Sequence, residues 1–96
     1  DLNPLVIDST KVLLNPEKEL MYLCKRINIP FNDKMLLWKP QPIKEDGVWA
    51  KHWYKNIHKS EGFNKYKPKT EPFPMDLNAL LESCIPCYDE LMRFSN

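Results

Sequence analysis

Near the start of the chain, Pro4-Leu5-Val6-Ile7-Asp8 is a short apolar run closed by an acidic residue and Ser9-Thr10, the pattern of a buried parallel strand over residues 4–8. A lone buried strand cannot satisfy its own N–H and C=O groups, so the pattern predicts sheet partners from outside these residues. The period then changes. Leu20, Leu23, Cys24 and Ile27 fall at i, i+3, i+4 and i+7, which predicts an amphipathic helix over residues 16–27 with one buried face. Both of its ends are marked. Asn15 is an N-cap residue, Pro16 loses nothing at the first helical position, and Glu17 and Glu19 complement the positive end of the helix dipole. Lys25 and Arg26 suit the last turn, Asn28 tolerates the left-handed cap, and Pro30 blocks continuation.

Asn32-Asp33 predicts a short helical turn through residues 33–37, before Pro40 and Pro42 impose extended backbone. Lys44-Glu45-Asp46-Gly47 is a polar turn. From there Trp49, Trp53 and Ile57 recur every four residues while Lys51, Lys55 and Lys59 recur on the other side, which predicts a helix over residues 49–59 with one aromatic and one cationic face. Residues 64–75, with Pro68, Pro72 and Pro74, read as an irregular strap. Leu77, Leu80, Leu81, Cys84, Tyr88, Leu91 and Met92 keep helical spacing over residues 77–94, with Pro86 expected to kink or split that helix.

Composition narrows the class. Two glycines beside nine prolines argue against a sandwich or barrel of many tight hairpins, whose turns need residues that accept positive φ. No apolar run approaches the roughly 18–20 residues of a membrane span, so the pattern predicts a soluble chain with no membrane partner. The net charge of +1 conceals an uneven distribution: residues 34–69 carry nine lysines against Glu45, Asp46 and Glu61, a net +6. Lysines interleaved with Trp38, Trp49 and Trp53 suit a phosphate-bearing ligand or a nucleic acid, and equally a plain solvated face. Three cysteines free as thiols would suit a reducing, cytoplasmic setting.

The order of landmarks is itself informative. Val6-Ile7-Asp8, Leu13-Leu14-Asn15-Pro16-Glu17, Ile29-Pro30-Phe31, Glu45-Asp46-Gly47-Val48-Trp49-Ala50, His52-Trp53-Tyr54 and Gly62-Phe63 resemble the C-terminal part of sulfotransferase-family proteins. Cys84-Ile85-Pro86-Cys87-Tyr88 resembles the family's closing helix. The resemblance implies an α/β fold, a three-layer core of the P-loop type. Residues 1–96 would be the C-terminal fragment of one such domain, mostly helical with one short parallel strand, and the opening on Asp1 rather than methionine fits that expectation. It also implies transfer of a sulfonyl group from 3′-phosphoadenosine 5′-phosphosulfate to a small-molecule hydroxyl or amine acceptor. The N-terminal part of the same domain would be the principal partner. With only Gly47 and Gly62 these residues hold no glycine-rich phosphate loop, so the fragment alone is expected to be inactive. The other reading is a non-catalytic interaction module whose lysine-rich face binds an acidic partner or, less favoured, a nucleic acid.

In the family, a loop of the form Arg-Lys-Gly-x-x-Gly-x-Trp grips the cofactor's 3′-phosphate. Gly47-Val48-Trp49 matches its Gly-x-Trp, whereas Pro42, Ile43 and Lys44 stand at the Arg-Lys-Gly positions, so a single, displaced cation remains. The cofactor-binding candidates are therefore Lys44, Gly47, Trp49 and Lys51, with Trp49 expected to bury its indole and anchor the turn. No catalytic residue is assigned. His52 is expected to be packed or hydrogen-bonded and His58 solvated. Cys84-x-x-Cys87 has redox or zinc spacing but lacks further ligands, and no metal site is expected.

Overall fold

The computed structural model describes residues 2–96. Asp8 determines where the first helix begins: it stays extended (φ −90°, ψ 122°) and its Oδ1 accepts from the Thr10 amide at 2.9 Å, capping helix α1, Ser9–Leu14. Asn15 serves two helices at once. Its amide donates to the Lys11 carbonyl, closing α1, and its side chain accepts from the Lys18 amide, opening α2, Pro16–Arg26. The predicted Asn15–Pro16 start of α2 is thus borne out. So is its end: Asn28 takes φ 59°, the Ile29 amide donates to the Cys24 carbonyl at 2.9 Å, and the Asn28 amide to the Lys25 carbonyl, a Schellman closure. The predicted buried face is realised at Cys24, whose thiol lies 3.8 Å from the Met35 sulfur, while Ile27 is exposed.

The expected strand over residues 4–8 is not formed. Val6 makes one isolated parallel bridge to Ser95, and the described residues form no strand, so the mostly helical character expected is found without the short parallel strand. A strand needs a neighbour along its length, and Ser95 meets it at one position. Helix α1 directly after it was not anticipated. The 33–37 turn is present as a 3₁₀ turn, Asp33–Met35, capped by Asn32. The expected helix over residues 49–59 is interrupted: α3, Ala50–Trp53, and α4, Lys55–Lys59, meet at Tyr54, whose φ −100° and ψ 18° break the helical path. At the C-terminal end, a 3₁₀ turn at Met75–Leu77 runs into α5, Asn78–Met92, a single helix through Pro86 rather than two.

The C-terminal residues are tied back to α1 and α2. Lys11 Nζ donates to Ser95 Oγ at 2.7 Å and to the Asn96 carbonyl, while Asn96 Nδ2 donates to Glu19 Oε1 at 3.2 Å. Glu19 is only 4% exposed, and a carboxylate so placed is tolerated because it is hydrogen-bonded. Helix α5 is tied by one bond more: Tyr88 OH donates to Asp8 Oδ2 at 2.7 Å. That bond, then the Thr10 amide, holds the Asp8 carboxyl below the ordinary aspartate pKa, and the same bond raises the Tyr88 phenol above its ordinary value. With the folded pKa of Asp8 depressed, the stabilisation is present above about pH 4 and is lost as pH falls through the lower folded value. With that of Tyr88 raised, it is present below about pH 10 and is lost as pH climbs through the folded value. Tyr88→Phe should move the Asp8 titration midpoint, followed by carboxyl carbon NMR, upward but not fully to the ordinary value, since the Thr10 bond survives. An unmoved midpoint would show that the two groups do not meet in solution.

Packing is sparse. Cys24 and Ala50 are the buried apolar residues among those described, and the Cα radius of gyration is 16.8 Å, against about 12–13 Å for a compact domain of this length. On α5, Leu80, Leu81, Ile85, Tyr88 and Leu91 are all exposed. No described helix is long and apolar enough to cross a membrane.

Candidate functional site

The site lies in a loop closed at its base by hydrogen bonds. Leu37 and Gly62 form an isolated antiparallel bridge, the Trp38 amide donates to the Glu61 carbonyl at 2.9 Å, and Trp38 Nε1 donates to Ser60 Oγ at 2.9 Å. Phe63 meets the Trp38 ring edge-on at 5.4 Å. Gly62 permits this closure, because a β-carbon there would stand 2.9 Å from the Leu36 carbonyl oxygen, closer than atoms tolerate. Residues 39–60 therefore leave and return at one place, with the polar turn in the first half of the loop.

Within the loop, Lys44–Asp46 form a 3₁₀ turn that ends at Gly47, with φ 79° and ψ −175°. That combination is open in practice only to glycine, so the Gly47 expected from the pattern has a conformational reason to be there. The chain then turns through Val48 and Trp49 into α3, whose Ala50 is buried. Lys44, Gly47 and Lys51 line a common open concavity of about 620 Å³, together with Pro42, Ile43 and His58. Three of the four residues singled out from the sequence are thus brought together.

Trp49 is the exception. Its indole does not line the concavity and is 62% exposed, stacked on Trp53 at 5.5 Å and 17° and tilted against His52 at 6.2 Å. The expected burial of the Trp49 indole is not seen within this chain: Trp53, four residues on, is itself 70% exposed, and the two rings cover one another. His52 is exposed beside them, its ring against Trp49, and it makes no side-chain hydrogen bond among the described residues.

His58 reverses the other expectation. Far from being solvated, its ring is 18% exposed, its Nε2 lies 2.7 Å from Asp46 Oδ2, and Tyr54 packs edge-on at 6.0 Å. The pairing escaped the sequence because Asp46 and His58 are twelve residues apart with a helix break between them, and His58 stands in register with Lys51 and Lys55 only if the helix is continuous. Cys84 and Cys87 are both exposed on α5.

The family model of the sulfotransferase domain matches residues 1–94, nearly the whole chain. The chain belongs to the sulfotransferase domain family. Within this sulfotransferase-domain chain, Pro42 and Ile43 line the same concavity as Lys44. Two curated relatives are similar along 88 residues, 92% of this chain. Branched-chain-amino-acid aminotransferase-like protein 1 of Arabidopsis thaliana is 46% identical and branched-chain-amino-acid aminotransferase-like protein 2 of the same plant 42% identical. The chain spans 16% of the length of each. No solved structure matches it.

Proposed function

We propose that this chain is the part of a sulfotransferase domain that holds the 3′-phosphate of 3′-phosphoadenosine 5′-phosphosulfate. The complete protein would transfer a sulfonyl group from that donor to a hydroxyl or amine. The observation that carries the reading is the convergence of Lys44, Lys51 and the Gly47 backbone on one concavity of about 620 Å³. Two ammonium groups are well suited to a dianionic phosphate, because lysine contributes a mobile point charge and needs no fixed fork geometry. Gly47 lets the ligand approach the main chain, since nothing lies within 4 Å of where its β-carbon would stand. Helix α3, at four residues, is too short for a significant dipole, so the cations rather than a helix end supply the field. When bound, the donor supplies the activated sulfonyl group; these residues bind and orient its nucleotide end and leave the transfer to the rest of the domain.

The sparse packing supports the remaining part of the proposal. Exposed apolar side chains along α5 and the stacked indoles of Trp49 and Trp53 are the surfaces that a larger P-loop-type core would cover, with the N-terminal part of the domain as the partner. Lys51, Lys55 and Lys59 are all exposed, and this observation favours the second reading, an acidic partner held by the lysine face.

Calorimetric titration of the full-length protein separates the two. Adenosine 3′,5′-bisphosphate should bind at least tenfold more tightly than adenosine 5′-monophosphate, because one charge-assisted phosphate contact contributes about 1.5–3 kcal/mol. Equal affinities, combined with steeply salt-dependent binding of polyanions, would support the interaction module instead.

A further inference from the structure

We infer that Asp46 and His58 form a positioning pair that holds the phosphate-facing turn in place, an inference that rests on reading that turn as the 3′-phosphate site. The turn has little else to hold it. Lys44–Asp46, α3 and α4 all lack a side-chain cap, and the Asp46–His58 contact is the one side-chain hydrogen bond from residues 44–49 to another element among those described. Gly47 sits in open space, so packing does not fix it. His58, by contrast, belongs to a segment anchored to the loop base. Ile57, directly before His58, and Ser60, two residues after it, are joined twice, since the Ile57 carbonyl accepts from both the amide and the hydroxyl of Ser60, and Ser60 Oγ in turn accepts from Trp38 Nε1. A path of hydrogen bonds and the Ile57–His58 peptide link therefore runs from the base of the loop through α4 to Asp46, the residue directly before Gly47.

The pair has an electrostatic function as well. The Asp46 carboxylate stands two residues from Lys44, where it would oppose an incoming phosphate, and the imidazole engages it at 2.7 Å, with both side chains turned away from solvent at 18% exposure. His58 and Ile43 line two concavities, the one shared with Lys44 and Lys51 and a smaller one of about 300 Å³ that Asp46 also lines, so His58, held by Asp46, forms part of the wall between them. Loss of the wall would let the turn relax toward the smaller cavity and draw Lys44 off the phosphate.

The test uses the full-length protein with adenosine 3′,5′-bisphosphate and adenosine 5′-monophosphate as probes, and follows hydrogen exchange of the peptide covering residues 44–50. His58→Ala should speed that exchange and weaken the bisphosphate about three- to tenfold, with the monophosphate unaffected. His58→Gln, whose amide N–H can reach the position of Nε2, should restore most of both. Asp46→Asn, isosteric and mild enough to keep the fold, should give the same pattern more weakly. Unchanged exchange, or equal losses for both nucleotides, would overturn the inference. Lys44→Ala separates the two levels of the argument. If it lowers bisphosphate affinity selectively while His58→Ala does not, the pair has no positioning role and the phosphate site stands. If Lys44→Ala itself has no selective effect, the site reading fails and the inference fails with it.

Discussion

Replacing Lys44 with alanine in the full-length protein is expected to weaken adenosine 3′,5′-bisphosphate binding by about ten- to a hundredfold, or 1.5–3 kcal/mol, and to leave adenosine 5′-monophosphate binding unchanged. The resemblance sets this turn against a family loop that carries two cations at its start. Here proline and isoleucine stand at Pro42 and Ile43, and Lys44 is the cation that remains on that side of the concavity. Lys51 lines the same space from α3, so in the proposed site the two ammonium groups would share the phosphate and neither loss would abolish binding. Lys59→Ala is the control: it removes the same charge from α4 at an exposed position that does not line the concavity. Long-range attraction is screened within about 8 Å at physiological salt, whereas a direct contact is not. Equal small losses for both variants, vanishing at high salt, would reduce the lysines to a diffuse field and return the turn to a structural role.

Local chemistry was legible in the sequence, and long-range pairing was not. Asn15-Pro16 and Asn28 each act within one helical turn, so the residue types alone locate both ends of α2 to within one position. Helix α1 lay open to the same reasoning: Asp8 ahead of Ser9-Thr10 is a capping signal, but Val6-Ile7 before it and the β-branched Thr10 and Val12 within it favoured extended structure. The strand inference failed for a different cause. An apolar run records that a segment is to be covered, not what covers it, and in these residues its partner is Ser95 alone. Trp49 and Trp53 share that ambiguity, because regular four-residue spacing is the same for a core face and for an exposed one. At the site, Gly47, Lys44 and Lys51 could be found by resemblance, since they lie in one short segment. Asp46–His58 and the Trp38–Ser60 closure join residues twelve and twenty-two positions apart, and no periodicity encodes such contacts.

The loop's dependence on a single glycine conformation gives the second large effect. At φ 79° and ψ −175°, Gly47 lies in a region that side-chain-bearing residues enter only under strain of about 1–3 kcal/mol. Since nothing stands within 4 Å of the position a β-carbon would take, Gly47→Ala tests backbone strain alone, without a steric clash. Asparagine is the informative companion. At Asn28, with φ 59°, the chain itself shows that asparagine accepts positive φ at a helix end. Asparagine's tolerance, however, belongs to the left-handed helical region near ψ +47°, far from the extended ψ of Gly47. Gly47→Asn should therefore be no better than Gly47→Ala, and both should lower bisphosphate affinity about five- to a hundredfold as the turn abandons the geometry that sets Lys44 and Lys51 on one concavity. Hydrogen exchange across residues 44–50 should rise in both variants while exchange in α2, whose caps lie outside the loop, stays unchanged. Retention of full affinity by Gly47→Asn would mean that the turn functions in a left-handed helical conformation, and with that the extended backbone at Gly47 would lose its place in ligand binding.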